Sequence, residues 1–442
     1  MTPCHRGGTL WPRRPGRNYP AIGPVAPGSA SRPSAGVSPV ADSTHSYDSG
    51  RPGLAWVHPA FPQFGRHYVA TRYGFLSTHP PTQCGLATFN SALAASLTAG
   101  DATAGIVRVG DRDPSGPDVA HTWPADDPSG WRDAADALNV YDVAIIQHEY
   151  GIYPGADGAD VLRLMRRLTV PSIVVLHTVL SRPTPRQKSL LDQIVATAGA
   201  AVTMTGTARD RLFVGYDVDP SKVTVIPHGA ADRVQTPPVR KPKPHMLTWG
   251  LLGPGKGIEW AIRALTHLRR LDPVYTVAGR THPKVIERHG EAYRASLHRL
   301  GAELGVAHAV DYQGIYHDEA ALGNLIRSAD VVVLPYDSTE QVTSGVLVEA
   351  VAARIPVVAT TFPHAVELLT DGPGLLVPHK NPRALATAIR KVLTQPSVAA
   401  GLTQRAGERS ADLRWSAVAA RYQELADRLV AVDANNVVAA SA

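Results

Sequence analysis

The sequence is poor in cysteine and in long apolar runs, and each shortage removes a class of protein. Only Cys4 and Cys84 occur, far apart and without a partner spacing. Neither a disulfide framework nor a cysteine-rich zinc site can be assembled from them, and two isolated thiols fit a reducing cytoplasm. No stretch approaches the roughly 18 to 20 apolar residues needed to span a bilayer. Acidic residues are scarce in one place: residues 1–67 hold seven arginines against Asp42 and Asp48, so five of the six net positive charges lie there. The remainder is close to neutral and carries no electrostatic footprint for nucleic acid. The same segment is rich in Pro, Gly and Ser and lacks an apolar core of the secretory-signal type. It reads as a disordered extension, dispensable or upstream of a later true start.

What is present, at 44% hydrophobic and 19% charged residues, is the composition of a globular protein long enough for two domains. From residue 68 onward, short aliphatic runs alternate with amphipathic ones. Strands are expected at 73–77, 106–109, 143–147, 173–177, 201–204 and 223–227, with helices at 86–97, 159–168, 185–197 and 207–214. The Asp-, Pro- and Gly-rich run 110–129 reads as an irregular loop. After a proline-rich linker at 235–245 the rhythm repeats. Strands are expected at 246–250, 275–278, 310–313, 331–335, 357–360 and 374–377, with helices at 258–268, 291–304, 319–327, 345–353 and 383–393. Near-continuous apolar strands separated by helices mean parallel sheets covered on both faces. The expected organisation is an N-terminal Rossmann-like unit (68–234), a C-terminal one (246–413), a helix over 414–432 packing back toward the first unit, and a short tail. A cleft between the two units is the natural ligand site.

Three strings carry chemistry. GLLGPGK, ending at Lys256, formally matches a phosphate-cradling loop, but Gly257 stands where magnesium chemistry needs Ser or Thr. An ATPase is therefore disfavoured, while glycine-freed amides, a helix start and a lysine still converge where phosphate can sit. YDSTEQVTSGVLVEA opens a helix at Ser344, a natural N-cap. Glu349 lies about one turn on, where a carboxylate accepts hydrogen bonds from vicinal sugar hydroxyls. In the first half, PPTQCGLAT with Gly85 is a strand–helix turn, and His148, Glu149 and His177 sit at the carboxyl ends of strands, where a parallel sheet opens on its ligand. Asp217 and Asp219 read as a helix-terminating turn. The basic, apolar LRLMRRL stretch at 162–168 could touch a membrane surface as a peripheral contact, although a solvated helix face is the commoner outcome.

In this order, together with VIPHG, AGRTHP, SADVVVLPY and LLTDGPGLLVP, these strings resemble the retaining glycosyltransferases of family 4, group 1 type. The resemblance implies an α/β protein of GT-B fold, two Rossmann-like domains with parallel sheets facing across a cleft. It implies a GDP- or UDP-linked sugar on the C-terminal domain and a glycan or lipid-linked acceptor on the N-terminal one. Lys256 would neutralise the diphosphate, and Ser344 and Gly345 would offer it helix-start amides. Glu349 would bind the ribose, Gly279 would border the base, and His177 would hydrogen-bond the transferred sugar. Gly85, His148 and Glu149 would form the acceptor or phosphate loop. Neither metal nor cofactor is expected, and the sequence leaves the oligomeric state open. Two departures stand out. Leu251 follows Gly250 where the family often has arginine, and counting back eight from Glu349 reaches Gln341, with Glu340 one residue too early. His177, Gln341 and Glu349 are the expected catalytic set, with Glu340 beside them as a donor ligand. Lys256, Glu349 and His177 favour an active hexosyltransferase, with mannose the first sugar considered, whereas Leu251 and Gln341 favour a silent sugar-nucleotide-binding protein. A sugar phosphorylase is the third reading.

Overall fold

The structure is a computed structural model and describes residues 70–440 apart from 113–115, 117 and 234–240. The expected disordered extension at 1–67 lies outside the described residues, as does most of the linker. The first half runs β1 (Arg72–Ser77), α1 (Gly85–Leu97), β2 (Thr103–Gly110), β3 (Val119–Pro124), α2 (Trp131–Leu138), β4 (Val143–His148), α3 (Asp160–Met165), β5 (Ser172–Leu176), α4 (Pro185–Thr197), β6 (Ala200–Thr203), α5 (Gly206–Gly215) and β7 (Val223–Val225). The second half begins β8 (His245–Trp249), α6 (Ile258–Leu265), β9 (Val274–Ala278), α7 (Pro283–His289), α8 (Ala292–Glu303), β10 (Val310–Gln313), α9 (Glu319–Arg327) and β11 (Val331–Leu334). It continues α10 (Gly345–Ala352), β12 (Val357–Thr360), α11 (Pro363–Leu369), β13 (Gly374–Val377), α12 (Pro382–Thr394), α13 (Pro396–Ser410) and α14 (Trp415–Ala440).

Two wholly parallel sheets result, ordered β3-β2-β1-β4-β5-β6-β7 and β10-β9-β8-β11-β12-β13. In each, the first strand of the unit lies inside the sheet and the order reverses beside it, which opens a crevice at the carboxyl ends. The central strands are apolar throughout because helices cover both faces: every residue of β4, β5, β8 and β11 is buried. Helix starts are set by side chains that accept the first free amides. Thr184 and Gln187 form a capping box on α4, Thr205 caps α5, and Ser344 caps α10. Asp219 likewise caps a short 3-10 turn, accepting from Ser221, and Asp217 donates its N–H to Asp192. The pair ends a segment, as a turn should.

The irregular loop expected at 110–129 is corrected by the structure. Within it, β3 forms the seventh strand of the first sheet, pairing in parallel with β2. Its anchor is Trp123, fully buried and stacked on Tyr153, with the indole N–H donated to the Asp127 carbonyl. One large aromatic outweighs the surrounding turn-forming residues. Three helices, α7, α11 and α13, start at prolines in stretches that had no assignment. The LRLMRRL stretch spends its apolar residues inside: Leu162, Leu164 and Met165 are buried in the core under α2 and α4. The final helix α14 returns to the first unit, where Val418, Tyr422, Leu425 and Ala426 share a core with Phe75, Phe89 and Ile145. The described residues accordingly belong to one compact unit.

Two glycines hold the strand ends of the second sheet together. Gly279 has φ +131° and a Cβ there would lie 2.0 Å from the Gly250 carbonyl oxygen. Gly257, at φ +62°, would place a Cβ 1.8 Å from the Pro335 carbonyl oxygen. Gly279→Ala is therefore expected to destabilise the protein by about 2–5 kcal/mol, combining overpacking with a left-handed backbone. A urea melt reads the loss; a midpoint unchanged from the parent would contradict it.

Candidate functional site

At the carboxyl edge of the second sheet the loop after β8 carries GLLGPGK. It is stitched to the loop after β9: Leu252 N–H donates to the Arg280 carbonyl at 2.8 Å, and His282 N–H donates back to Leu252 at 2.8 Å. It is stitched also to the end of β11, where Asp337 N–H donates to the Gly255 carbonyl at 2.9 Å. Lys256 emerges from this junction with its Nζ 4.3 Å from the centre of the buried Tyr336 ring. Among the described residues it forms no ion pair with a carboxylate. Gly279 lies at the same junction, its carbonyl accepting from Arg294.

Ser344 accepts the Leu347 N–H through Oγ, while its own N–H donates to His364 Nδ1 at 2.8 Å. That bond fixes His364 as a neutral imidazole, and burial lowers its pKa to about 4. Gly345 begins α10 beside His228, since a Cβ there would meet His228 Nε2 at 2.7 Å. Glu349 leaves one carboxylate oxygen, Oε2, buried without a hydrogen-bond partner. Burial raises its pKa, against the Arg233 charge and a hydrogen bond from Trp249. A buried acceptor without a donor is costly, and a ligand hydroxyl would satisfy it. Gln341 donates from Nε2 to the Thr343 carbonyl at 2.6 Å and is folded onto its own loop. Glu340 is directed elsewhere. Its carboxylate accepts from the Ser181 N–H at 3.0 Å, the Ser181 hydroxyl at 2.7 Å and Arg211 Nη1 at 3.1 Å.

In the first unit His177 directly follows β5, and its Nε2–H donates to Gln147 Oε1 at 2.8 Å. Phe89 of α1 stands edge-on to His177, His228 and Trp415, at 4.9, 5.0 and 5.1 Å between ring centres. His177, Phe89, His228 and Gly345 therefore form one continuous set of contacts across the two units. His148 ends β4, is buried, and its Nδ1 has no partner. Glu149 accepts from Tyr150 N–H and from the Thr178 hydroxyl, and burial raises its pKa. Gly85 starts α1 with open space around its Cβ position. The turn before it reaches the second unit through Gln83, which accepts from Arg280 at 2.6 Å. Gln147, His228, Arg211 and His364 had no assigned role in the sequence. VIPHG and TFPHAVE contain the two histidines, but a histidine in a loop reveals nothing of its neighbours. No group of three or more His, Cys, Asp or Glu side chains among the described residues could hold a metal ion, and no described helix is long and apolar enough to cross a membrane.

The geometry is that of a two-sheet GT-B fold with Lys256 and the capped start of α10 at the carboxyl edge of its second sheet. Residues 243–395, within the second unit, match the family model described as Glycosyl transferases group 1. Among similar sequences is a D-inositol 3-phosphate glycosyltransferase of Stackebrandtia nassauensis, 31% identical over 51% of this chain and 53% of the relative. Another of that name, from Frankia alni, is 28% identical over 64% of this chain and 77% of the relative. This chain spans little more than half the length of the first curated relatives it matches. Among solved structures, sucrose-phosphate synthase from Thermosynechococcus elongatus superposes with a TM-score of 0.67 at 19% identity, covering 82% of this chain and all of the other. Anabaena HepE in complex with UDP and glucose gives 0.64 at 16% identity, over 81% of this chain and all of the other. At these identities the structural likeness speaks for the fold.

Burial also makes a prediction about acid. His148, His228 and His364 are lowered to about 4, and His177 to about 3, by burial first and, for His177, by His228 and His148 after it. Unfolded histidine takes up a proton near its ordinary value of about 6.5, so the unfolded chain binds more protons below that pH. Stability should fall as pH drops from about 6.5 toward 4 and be fully present above 7. Urea midpoints at pH 7.5 and 5 read it, and equal midpoints would refute neutral burial of these rings.

Proposed function

We propose that this protein is a glycosyltransferase that moves a hexosyl group from a nucleotide-diphosphate sugar to a hydroxyl of a carbohydrate or lipid-linked acceptor, with retention of configuration. One observation carries the reading. Three strand ends of the second sheet converge through Gly257 and Gly279 so closely that a lysine ammonium without a carboxylate partner and a capped helix start share one edge. Such an edge suits a diphosphate. Lys256 would neutralise it, the Ser344 and Gly345 end of α10 would face it, and the orphaned Glu349 oxygen would accept from ribose hydroxyls.

On the opposite side the neutral His177 would hydrogen-bond the transferred sugar. The bond from the anomeric carbon to the phosphate oxygen breaks while the acceptor oxygen bonds on the same face. The acceptor proton passes to the departing phosphate, so the protein supplies position and charge stabilisation. Neither metal nor protein nucleophile is required by this scheme. The names of the sequence relatives make a phosphorylated polyol the first acceptor to try beside simple glycans. GDP-mannose and UDP-glucose are the first donors.

Leu251 and the inward-folded Gln341 support a second reading, binding of the sugar nucleotide without transfer. Thermal shift and donor hydrolysis with UDP-, GDP- and ADP-sugars separate the two. Binding without turnover on a broad acceptor panel selects the silent protein, and stabilisation by inorganic phosphate alone selects a phosphorylase. Lys256→Ala should weaken nucleotide-sugar binding at least tenfold, about 1.4 kcal/mol. Unchanged affinity in a calorimetric titration would remove Lys256 from the donor site.

A further inference from the structure

We propose that Glu340, with Arg211 and Glu367, is a clamp between the two units that positions the start of α10, and that Glu340 is not a ligand of the transferred sugar. The clamp is read without any ligand; only its consequence for donor binding rests on the function proposed above.

Glu340 stands nine residues before Glu349, one more than the spacing that the family resemblance implies. Its side chain turns to the other unit. Every hydrogen bond to its carboxylate among the described residues comes from there: the Ser181 N–H, the Ser181 hydroxyl and Arg211. Arg211, on α5, also donates to the carbonyls of Glu340 and Thr339, at 3.2 and 3.1 Å, and to that of Val179 at 3.4 Å. One guanidinium thus holds both the side chain and the backbone of the loop, a geometry that lysine cannot reproduce in full.

Two further contacts are independent of that pair. Val342 is buried in the core of the first unit, and its carbonyl accepts from the Thr205 hydroxyl at 3.0 Å. Glu367, on α11, accepts from the N–H groups of Gly206 and Thr207, each at 2.8 Å, and from the Thr207 hydroxyl at 2.6 Å. A side chain of the second unit therefore caps a helix of the first. α11 then passes the constraint on, because His364 N–H donates to the Gln341 carbonyl at 3.2 Å and His364 Nδ1 receives the Ser344 N–H. The loop is held at Glu340, Gln341 and Val342, and two residues further on Ser344 is the N-cap of α10. Glu340, Arg211 and Glu367 are positioning residues in this scheme, acting on the donor through Ser344 and Gly345.

Hydrogen–deuterium exchange on the full chain tests the clamp directly. Arg211→Ala and Glu340→Gln should each speed exchange of the Ser181 amide and of residues 341–347 by about tenfold, the double variant adding little to either single. Glu367→Gln should do the same at Gly206 and Thr207. Arg211→Lys, which keeps the charge but not the fork, should recover part of the protection. Affinity for UDP-glucose or GDP-mannose should fall by a similar factor in Arg211→Ala and Glu340→Gln. Unchanged exchange in Arg211→Ala overturns the clamp. So does a Glu340→Gln variant that loses sugar-nucleotide affinity with parental exchange, which would make Glu340 a sugar ligand. If the parent binds neither nucleotide sugar, the donor reading fails while the exchange data still decide the clamp.

Discussion

The site depends on backbone meeting backbone without side chains between. Where Gly279 faces the Gly250 carbonyl and Gly257 faces the Pro335 carbonyl, no Cβ fits. Those two contacts bring the ends of β8, β9 and β11 within one ligand's span. A parallel sheet offers its strand ends in a row about 4.8 Å apart per strand; glycine lets their loops fold over one another and not splay. Several amides of that folded edge are already paired, Gly250 N–H with the Ala278 carbonyl, Leu252 N–H with that of Arg280 and Lys256 N–H with that of Gly253, which orders the loop from within.

Across the cleft the constraint is of the opposite kind. The first unit presents rings, not bare backbone: Phe89 packs edge-on against His177, His228 and Trp415. Apolar surroundings keep the imidazoles neutral, so the two sides of the cleft differ in electrical character. One side carries the Lys256 ammonium and the start of α10, the other neutral imidazoles capable of hydrogen bonds.

Much of the second unit was legible because its signals are local. A strand, a glycine-rich turn, a lysine and a capped helix sit within a few residues of one another, and Ser344 announces α10 by its type alone. The N-cap was therefore readable from the sequence alone. Glu340 was not, because its partners Ser181 and Arg211 lie far away in the chain and only tertiary packing brings them together. The same holds for Gln147 beneath His177, and for Trp123, whose burial made a strand from a segment composed like a loop. Periodicity reads elements, and composition reads turns. Neither reads which unit a loop carboxylate will turn toward.

The departure at Leu251 then acquires a physical setting. With no arginine in that turn, the positive charge of the glycine loop rests on Lys256, and what holds Lys256 matters. A neighbouring carboxylate would fix the ammonium but also neutralise it, and phosphate would have to compete for it. The face of Tyr336 holds it by its quadrupole instead, about 0.5–2 kcal/mol depending on desolvation, and leaves the full charge for a ligand. Tyr336 is itself fully buried, stacked on Phe362 at 4.9 Å between ring centres, with its backbone carbonyl accepting from Thr360 and His379. A rigid aromatic platform can thus do with one lysine part of what an arginine–lysine pair does by number of charges. It does so without the planar fork that grips two phosphate oxygens at once. The Ser344 N–H, expected to face a ligand, is spent on His364 Nδ1, so on the proposed donor reading the remaining orientation would fall to the Gly345 end of α10 and to whatever keeps it in register.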